Sequence, residues 1–208
     1  MKMEAAWLTQ IKRLQALSAT GLAYSRDEYD QERFEEIGNI ASQMLAQLSS
    51  APLERVVELG PDTKSYPTPK VDVRAAVIQK DRILLVKERN NELWTMPGGF
   101  AEIGLSPAEN VIKEVFEEAC IPVVVDSLYA VRHKAKGPFK PDVRDFYKLY
   151  FLCEQASDTP PEPGTETLAV DFFSIDELPD LCTDRTVVED IERAFAFRSG
   201  QPRHAWFD

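Results

Sequence analysis

The sequence contains little cysteine, with three residues in 208, at Cys120, Cys153 and Cys182. None of them forms a C-x-x-C pair, which argues against a structural zinc site, and so small a set argues against a disulfide framework. We interpret them as reduced and mostly buried thiols, and we therefore expect a cytoplasmic protein.

Long hydrophobic runs are also missing. The longest uninterrupted apolar stretches are only a few residues, as at 123–125, whereas a membrane-spanning helix needs about 20. The first residues lack the apolar core and cleavage site of a signal peptide. We expect neither a membrane partner nor a targeting segment.

Basic residues are scarce, since 24 Lys and Arg face 35 Asp and Glu, for a net charge of −11. So acidic a surface repels phosphate backbones unless one face is locally basic, which makes duplex DNA an unsuitable partner. An acidic balance can also reflect carboxylates that hold a metal ion. With 44% hydrophobic and 28% charged residues, the composition is that of an ordinary globular protein.

The first fifty residues have the apolar spacing of helices. Two stripes step by three and four residues: Trp7, Ile11, Leu14 and Leu17, then Phe34, Ile37, Ala41, Met44 and Leu48. Gly21 separates them, and Asp27 is a suitable cap for the second helix. The second stripe can cover the rest of the molecule or pair with its copy, and we expect a homodimer through these helices.

Three prolines within residues 61–69 exclude regular structure and indicate a stiff linker. Beyond them the period changes to the alternation typical of strands, first at 71–77 and 83–86 and later at 123–131, 146–153 and 168–173. Helical spacing returns at 106–119 and about 185–197. The predicted organisation is a helical domain over 1–60, a linker over 61–69 and a mixed α/β domain over 70–208.

The helix at 106–119 carries a group of acidic side chains. Ser106, Pro107 and Glu109 occupy the positions of an N-cap, a first-turn proline and a capping-box glutamate, which fixes the start of the helix. Counted from that start, Glu114, Glu117 and Glu118 share one face. They form either a solvated acidic face or a site for a hard divalent cation, which prefers oxygen ligands.

Two consecutive glycines, Gly98 and Gly99, precede the loop that leads into this helix. Glycine permits either a tight turn or a close approach of the backbone to a metal ion or phosphate. Glycines, capped helix and stacked carboxylates within so short a stretch favour the second interpretation.

This stretch resembles the Nudix box, G-x5-E-x7-R-E-U-x-E-E-x-G-U with U apolar. The pattern is met at these positions: Gly99, Glu114, Val115, Glu117, Glu118 and Ile121. It is not met at Leu105 (usually Glu), Lys113 (usually Arg) and Cys120 (usually Gly). The resemblance covers about residues 70–195 and implies an α/β fold, a Nudix-type mixed-sheet α/β/α sandwich with an N-terminal helical appendage. The N-terminal helices resemble the extra domain of bacterial ADP-ribose and CDP-choline pyrophosphatases.

The resemblance implies hydrolysis of the pyrophosphate bond in a nucleoside diphosphate linked to another moiety, with Mg²⁺ or Mn²⁺ as cofactor. It implies that Glu114 and Glu118 are metal ligands and that Glu117 is a third ligand or orients the others, with a backbone carbonyl of Gly98 or Gly99 completing the set. Such enzymes often take the general base from a later loop, where Glu166 is the candidate and a solvated loop glutamate the alternative. A nucleotide-binding module without catalysis is the alternative function.

Binding a diphosphate to an acidic protein requires cations. The one concentrated basic stretch is 132–140, expected in an inter-strand loop, where Arg132, Lys134 and Lys136 contact substrate or simply solubilise a hairpin tip. Arg74, on the first strand, is expected to point into the site or to solvent. Arg185 is expected to approach the substrate or to begin the last helix.

Overall fold

The structure, a computed structural model, describes residues 4–49, 51–200 and 204–208. Residues 1–3, which carried part of the expectation on targeting, lie outside the described residues. The chain divides into two compact units, Met1–Lys70 with Pro141–Phe146, and Val71–Lys140 with Tyr147–Asp208. The division into 1–60, 61–69 and 70–208 stays a prediction. No described helix is long and apolar enough to cross a membrane.

The first unit contains three helices. Their bounds are α1 Ala6–Tyr24, α2 Glu28–Ser49 and α3 Leu53–Leu59. The break between α1 and α2 lies at 25–27, so Gly21 is inside α1 rather than between the helices. Asp27 caps α2 as predicted, because its Oδ1 accepts a hydrogen bond from the backbone N–H of Asp30 at 3.1 Å.

The core of the first unit contains one member of each predicted stripe, Ile11 and Ala41, together with side chains outside the stripes. It is formed by Leu8, Ile11, Ala41, Leu45 and Val56. Several members of the predicted stripes are exposed instead: Trp7, Leu14, Leu17, Ile37, Met44 and Leu48. The apolar spacing therefore identified the helices, and pairing of the exposed stripe with its copy stays a prediction.

The segment 141–146 belongs to the first unit because α1 holds it. Lys12 Nζ lies 3.0 Å from Asp145 Oδ1 and 2.9 Å from Glu4 Oε2. The same ammonium group donates to the backbone carbonyls of Asp142 and Arg144. Val143 packs against the core of the three helices. A six-residue segment from much later in the sequence therefore completes this unit.

The second unit contains seven strands and two α-helices among the residues that the structure describes. Their bounds are β1 Lys70–Gln79, β2 Arg82–Glu88, β3 Trp94–Thr95, α4 Pro107–Ala119, β4 Val123–His133, β5 Phe146–Gln155, β6 Thr167–Ser174, α5 Val188–Arg198 and β7 Trp206–Phe207. The sheet order is β3-β2-β1-β5-β4-β7, and β6 pairs with β2. Since β7 runs parallel to β4 whereas β2 pairs antiparallel with β1, β3 and β6, the sheet is mixed.

Alternation along the central strands places α4 and α5 on opposite faces of the sheet. On β2, Leu84 and Val86 pack in the same cluster as the apolar face of α4, while Ile83 and Leu85 pack with Ile191 of α5. The arrangement confirms the predicted α/β/α sandwich. The last helix begins at Val188, three residues later than predicted, because the Asp190 carboxylate accepts from the Val187 N–H at 3.1 Å and closes its first turn.

Candidate active site

The start of α4 is built as its sequence predicts. The Ser106 hydroxyl accepts from the Glu109 N–H at 3.2 Å, and the Glu109 carboxylate accepts from the Ser106 N–H at 2.8 Å. Asn110, which no sequence pattern singled out, is 2% exposed and accepts from the Glu102 N–H at 2.8 Å. Its amide group also donates to the carbonyl of Leu105, so it fixes the preceding loop against the helix.

The glycine loop runs along β1 with backbone hydrogen bonds like those of a strand. The N–H groups of Val73 and Ala75 donate to the carbonyls of Gly99 and Pro97, both at 2.9 Å. Gly98 has φ +141°, and a Cβ built there would lie 2.0 Å from the carbonyl oxygen of Val73. Only glycine fits this position without displacing the strand.

The side chains of two predicted metal ligands on α4 lie against this loop. The Gly98 N–H donates to Glu118 Oε2 at 2.9 Å. A Cβ on Gly99 would lie 2.7 Å from Glu114 Oε1, so the missing side chain provides the space that this carboxylate occupies. The fold thus brings together the predicted residues Gly98, Gly99, Glu114 and Glu118.

Burial determines the electrostatics of these carboxylates. Burial raises the pKa of Glu118 to about 7, against the lowering effects of the Arg74 charge and the Gly98 N–H, and the neighbouring Glu114 raises it further. The pKa of Glu114 is also raised, first by burial and then by Glu117, while Arg74 lowers it. Two carboxyl groups that repel each other, one buried and one half-buried, are stabilised in their charged form by a cation.

Glu117 forms an ion pair with Lys113 of the same helix. Its Oε2 lies 2.7 Å from Lys113 Nζ, and the same ammonium group lies 3.1 Å from Glu102 Oε1. The departures from the box at Leu105 and Lys113 are therefore accommodated, because Glu102 provides an ionic partner for Lys113 three residues before Leu105.

The carboxylates present fit a divalent cation, since Mg²⁺ in phosphate-processing sites uses one or two carboxylates together with water and substrate phosphates. Glu114 and Glu118 provide these beside the backbone of Gly98 and Gly99. Within 4–49, 51–200 and 204–208, no three His, Cys, Asp or Glu side chains converge as a metal site. Glu117 as a third ligand stays a prediction.

The far end of α4 is covered by the loop before β6. The Gly164 N–H and the Thr167 hydroxyl donate to the carbonyl of Glu118 at 3.2 and 2.8 Å. A Cβ on Gly164 would lie 1.7 Å from the Glu117 carbonyl oxygen, which shows how closely the loop approaches. Glu166 is exposed on the same loop, and its role as general base stays a prediction.

Arg74 requires a correction, because it points neither to an open site nor to solvent. It is 1% exposed. Its guanidinium group donates to both carboxylate oxygens of Asp72, at 2.9 and 2.8 Å, and to the Met96 carbonyl at 3.1 Å. Asp72 also accepts from Lys148 at 2.7 Å. Arg74 therefore supports the glycine loop from inside the domain and is not available to contact substrate.

Arg132 requires a correction too. It lies on β4 rather than in a loop and is 2% exposed. It forms ion pairs with Asp190 and Glu189 of α5, which link the helix to the sheet. Lys134 and Lys136 follow in a short 3₁₀ helix, where Lys134 is half-buried and Lys136 exposed.

Arg185 lies in the loop before α5 rather than in the helix. Its Nε lies 2.7 Å from Oε1 of Glu88, a buried carboxylate whose Oε2 accepts from Asn91 Nδ2 at 2.6 Å. The sequence pointed to Arg185 but not to Glu88 and Asn91, which lie far from it in the chain and match no motif.

Comparison with known proteins identifies this architecture. Residues 68–193 match the family described as "NUDIX domain". The chain belongs to the Nudix family. Residues 5–59 match a second family, described as "UDP-X-like, N-terminal oligomerisation domain". Both parts of this Nudix protein therefore have relatives, and its departures at Leu105, Lys113 and Cys120 occur within a recognised domain.

Relatives that resemble this Nudix protein along its whole length include a Bacillus subtilis (strain 168) protein named "Putative ADP-ribose pyrophosphatase YjhB", 39% identical over all of both chains. A solved structure of UDP-X diphosphatase is 32% identical, covers 99% of each chain and has a TM-score of 0.62. An ADP-ribose pyrophosphatase structure from Streptococcus suis 89-1591 is 36% identical, with a TM-score of 0.58, over 68% of this chain and 100% of its own. The protein is a Nudix pyrophosphohydrolase.

Proposed function

We propose that the protein hydrolyses the pyrophosphate bond of a nucleoside diphosphate linked to another moiety, using a divalent metal ion, and releases a nucleoside monophosphate and a second phosphomonoester. The observation that carries this proposal is the pair of the half-buried Glu114 and the buried Glu118, which lie against Gly99 and Gly98 and have raised pKa values. Such a pair favours a cation that also binds phosphate oxygens.

Each part of the site has a proposed role. Glu114 and Glu118 would hold Mg²⁺ or Mn²⁺, with the backbone of Gly98 or Gly99 beside them. Such an ion, when bound, would neutralise charge on the phosphate oxygens and would lower the pKa of the attacking water. Glu166 is the proposed general base, supported by its place on the loop whose Gly164 N–H donates to the Glu118 carbonyl at 3.2 Å.

Cations for the diphosphate come from two neighbouring segments. Arg185 is the first, with 38% of its side chain exposed beside the site. Lys134 and Lys136 are the second, because the basic stretch 132–140 that contains them ends at Lys140, whose N–H donates to the Thr183 carbonyl two residues before Arg185.

ADP-ribose and CDP-choline are the proposed substrates. The names of the Bacillus subtilis and Streptococcus suis relatives support ADP-ribose, and that of the UDP-X diphosphatase supports a broader group of nucleoside diphosphate conjugates. CDP-choline rests on the resemblance of the N-terminal helices alone.

We also propose that the protein is a cytoplasmic homodimer joined through its N-terminal helices. The description of residues 5–59 as an oligomerisation domain supports self-association. The apolar side chains exposed on α1 and α2 provide a surface for it. Three free cysteines, two of them buried, suit a reducing compartment.

The experiment measures phosphomonoester release from ADP-ribose, CDP-choline, UDP-sugars and nucleoside triphosphates, with Mg²⁺, with Mn²⁺ and with neither. Glu118→Gln keeps the shape of the side chain and removes its charge. We expect turnover of one conjugate that requires the metal and falls about 10²–10³-fold in Glu118→Gln.

The matched control is Glu154→Gln, which removes an exposed carboxylate from β5 and should keep full activity. Activity that survives in Glu118→Gln would contradict the assignment of the carboxylates. Metal-dependent binding of a conjugate without turnover would instead indicate a nucleotide-binding module.

A further inference from the structure

The Glu88 cluster is defined as Glu88, Asn91 and Arg185, and the proposed function gives a role to Arg185 alone. Glu88 ends β2 and is 6% exposed. One of its carboxylate oxygens faces Arg185 Nε at 2.7 Å, and the other accepts from Asn91 Nδ2 at 2.6 Å. Both oxygens of a buried carboxylate are thus occupied, one by a charge and one by an amide.

The loop that carries Arg185 is fixed to the strand that leads into the glycine loop. The Cys182 N–H donates to the Trp94 carbonyl at 2.8 Å. The Thr186 hydroxyl accepts from the Met96 N–H at 3.1 Å, two residues before Gly98. Arg185, between these two anchors, therefore has a backbone position set by the same loop that holds Glu118.

Glu88 is connected to Glu118 from the other side. It pairs with Thr167 of β6 at a register shift, and the Thr167 hydroxyl donates to the Glu118 carbonyl at 2.8 Å. Arg185 is also close enough that its charge counts among the influences that lower the pKa of Glu118, although burial outweighs it and raises that pKa. The Glu88 cluster thus borders the proposed metal site.

The geometry leaves part of Arg185 available. Its side chain is 38% exposed, whereas that of Glu88 is 8% exposed. Glu88 faces Nε, and Arg185 makes no ion pair besides this one within the described ranges 4–49, 51–200 and 204–208. A guanidinium group oriented at Nε can direct its two terminal nitrogens to two oxygens of a phosphate.

We propose that Glu88, assisted by Asn91, is a positioning residue that holds Arg185 so that its terminal nitrogens bind the diphosphate of the substrate. This inference rests on the proposed function. Glu88 itself does not touch the substrate. It restricts the rotamers of Arg185 before the substrate binds, so its removal weakens binding although Arg185 remains.

The test is a double-mutant cycle with Glu88→Gln, Arg185→Ala and the double variant, measured as kcat and KM for ADP-ribose with Mg²⁺. We expect Arg185→Ala and Glu88→Gln each to raise KM about tenfold or more, with a smaller change in kcat. The double variant should be no worse than Arg185→Ala alone, because Glu88 acts only through Arg185. Glu92→Gln, an exposed carboxylate nearby that pairs with Lys87, is the matched control and should keep the KM of the unaltered protein.

A merely structural Glu88 gives a different pattern. In that case the double variant raises KM by the product of the two single-variant factors, or Glu88→Gln leaves KM unchanged. Either result overturns the inference. If Glu88→Gln fails to fold, Asn91→Ala takes its place in the cycle, with a smaller rise in KM expected.

The inference and the proposed function fail separately. If the unaltered protein does not turn over ADP-ribose, the proposed function fails for that substrate. The same cycle is then measured as the Kd for ADP by calorimetry. A loss of ADP affinity that is not additive still supports the positioning role, and additive or absent losses overturn it.

Discussion

Lys148 is a cationic side chain almost fully enclosed by protein, at 2% exposure. Burial lowers its pKa to about 8, against the raising effect of Asp72 at 2.7 Å and of Asp190, while Arg74 lowers it further. Its ammonium group also lies 5.5 and 5.8 Å from the ring centres of Phe139 and Tyr150. A charge in such a place makes stability depend on pH.

Substitution of Lys148 should reveal this dependence. The folded pKa of about 8 lies below the value of about 10.4 in an unfolded chain, so between these values the unfolded state binds more protons and stability rises with pH. Lys148→Met lacks this rise. We expect its free energy of unfolding, relative to the unaltered protein, to fall steadily from pH 8 to pH 10, as measured by urea denaturation.

The control for this series is Lys64→Met, which removes an exposed ammonium group and should leave the pH profile unchanged. Parallel profiles for Lys148→Met and the unaltered protein would show that Lys148 has an ordinary pKa.

Among the secondary-structure elements, α4 has a start that its sequence predicts and an end that departs from the family pattern. The start follows its capping box, whereas the end departs from the family pattern at Cys120, which adopts φ 54° and ψ 25° as the C-cap. The helix thus ends in the left-handed conformation that glycine usually supplies, and a side chain there costs about 1–2 kcal/mol.

Cys120→Gly should therefore stabilise the protein. Relief of the positive φ exceeds the entropy that glycine adds to the unfolded chain, about 0.4–1 kcal/mol, so we expect a net gain of up to about 1 kcal/mol in the free energy of unfolding. Denaturation by urea measures it. Cys120→Ala keeps the backbone cost and should show no such gain, and an equal effect of both substitutions would attribute the change to the thiol instead.

Strands and α4 were predictable because their signals are local. Alternation located β1, β2, β4, β5 and β6 within about two residues, and the capping residues located the start of α4. The box residues brought Gly98, Gly99, Glu114 and Glu118 to one place because a helix face and its preceding loop are close in the chain.

Contacts between distant residues were not predictable in this way. A sequence does not distinguish a surface arginine from one enclosed by carboxylates of other elements, so Arg74 and Arg132 were assigned to substrate although both are buried in ion pairs. Glu88 and Asn91 carry no pattern, and only the fold brings them to Arg185.

For the whole molecule, the exposed apolar side chains of the first unit bear on assembly. On α2, Ile37, Ile40, Met44 and Leu48 are each 38–53% exposed and step by three and four residues, so they form one stripe. A stripe of this kind suits a second copy of the chain.

Ile40→Glu should therefore dissociate the proposed dimer. A charge in the middle of the stripe would lose its hydration in the interface without a partner. We expect sedimentation at micromolar concentration to show a dimer for the unaltered protein and a monomer for Ile40→Glu. Asn39→Glu places the same charge on the opposite side of α2 and should remain dimeric, whereas a monomeric unaltered protein would exclude the homodimer.

The segment 141–146 has a consequence for the order of folding. It contributes Val143 to the core of the first unit and forms an ion pair with Lys12 through Asp145, yet it is synthesised after β1 to β4 of the second unit. The N-terminal helices therefore cannot reach their final packing when they leave the ribosome. They must wait until residue 146 has emerged, so the first unit to be synthesised is not the first that can be finished.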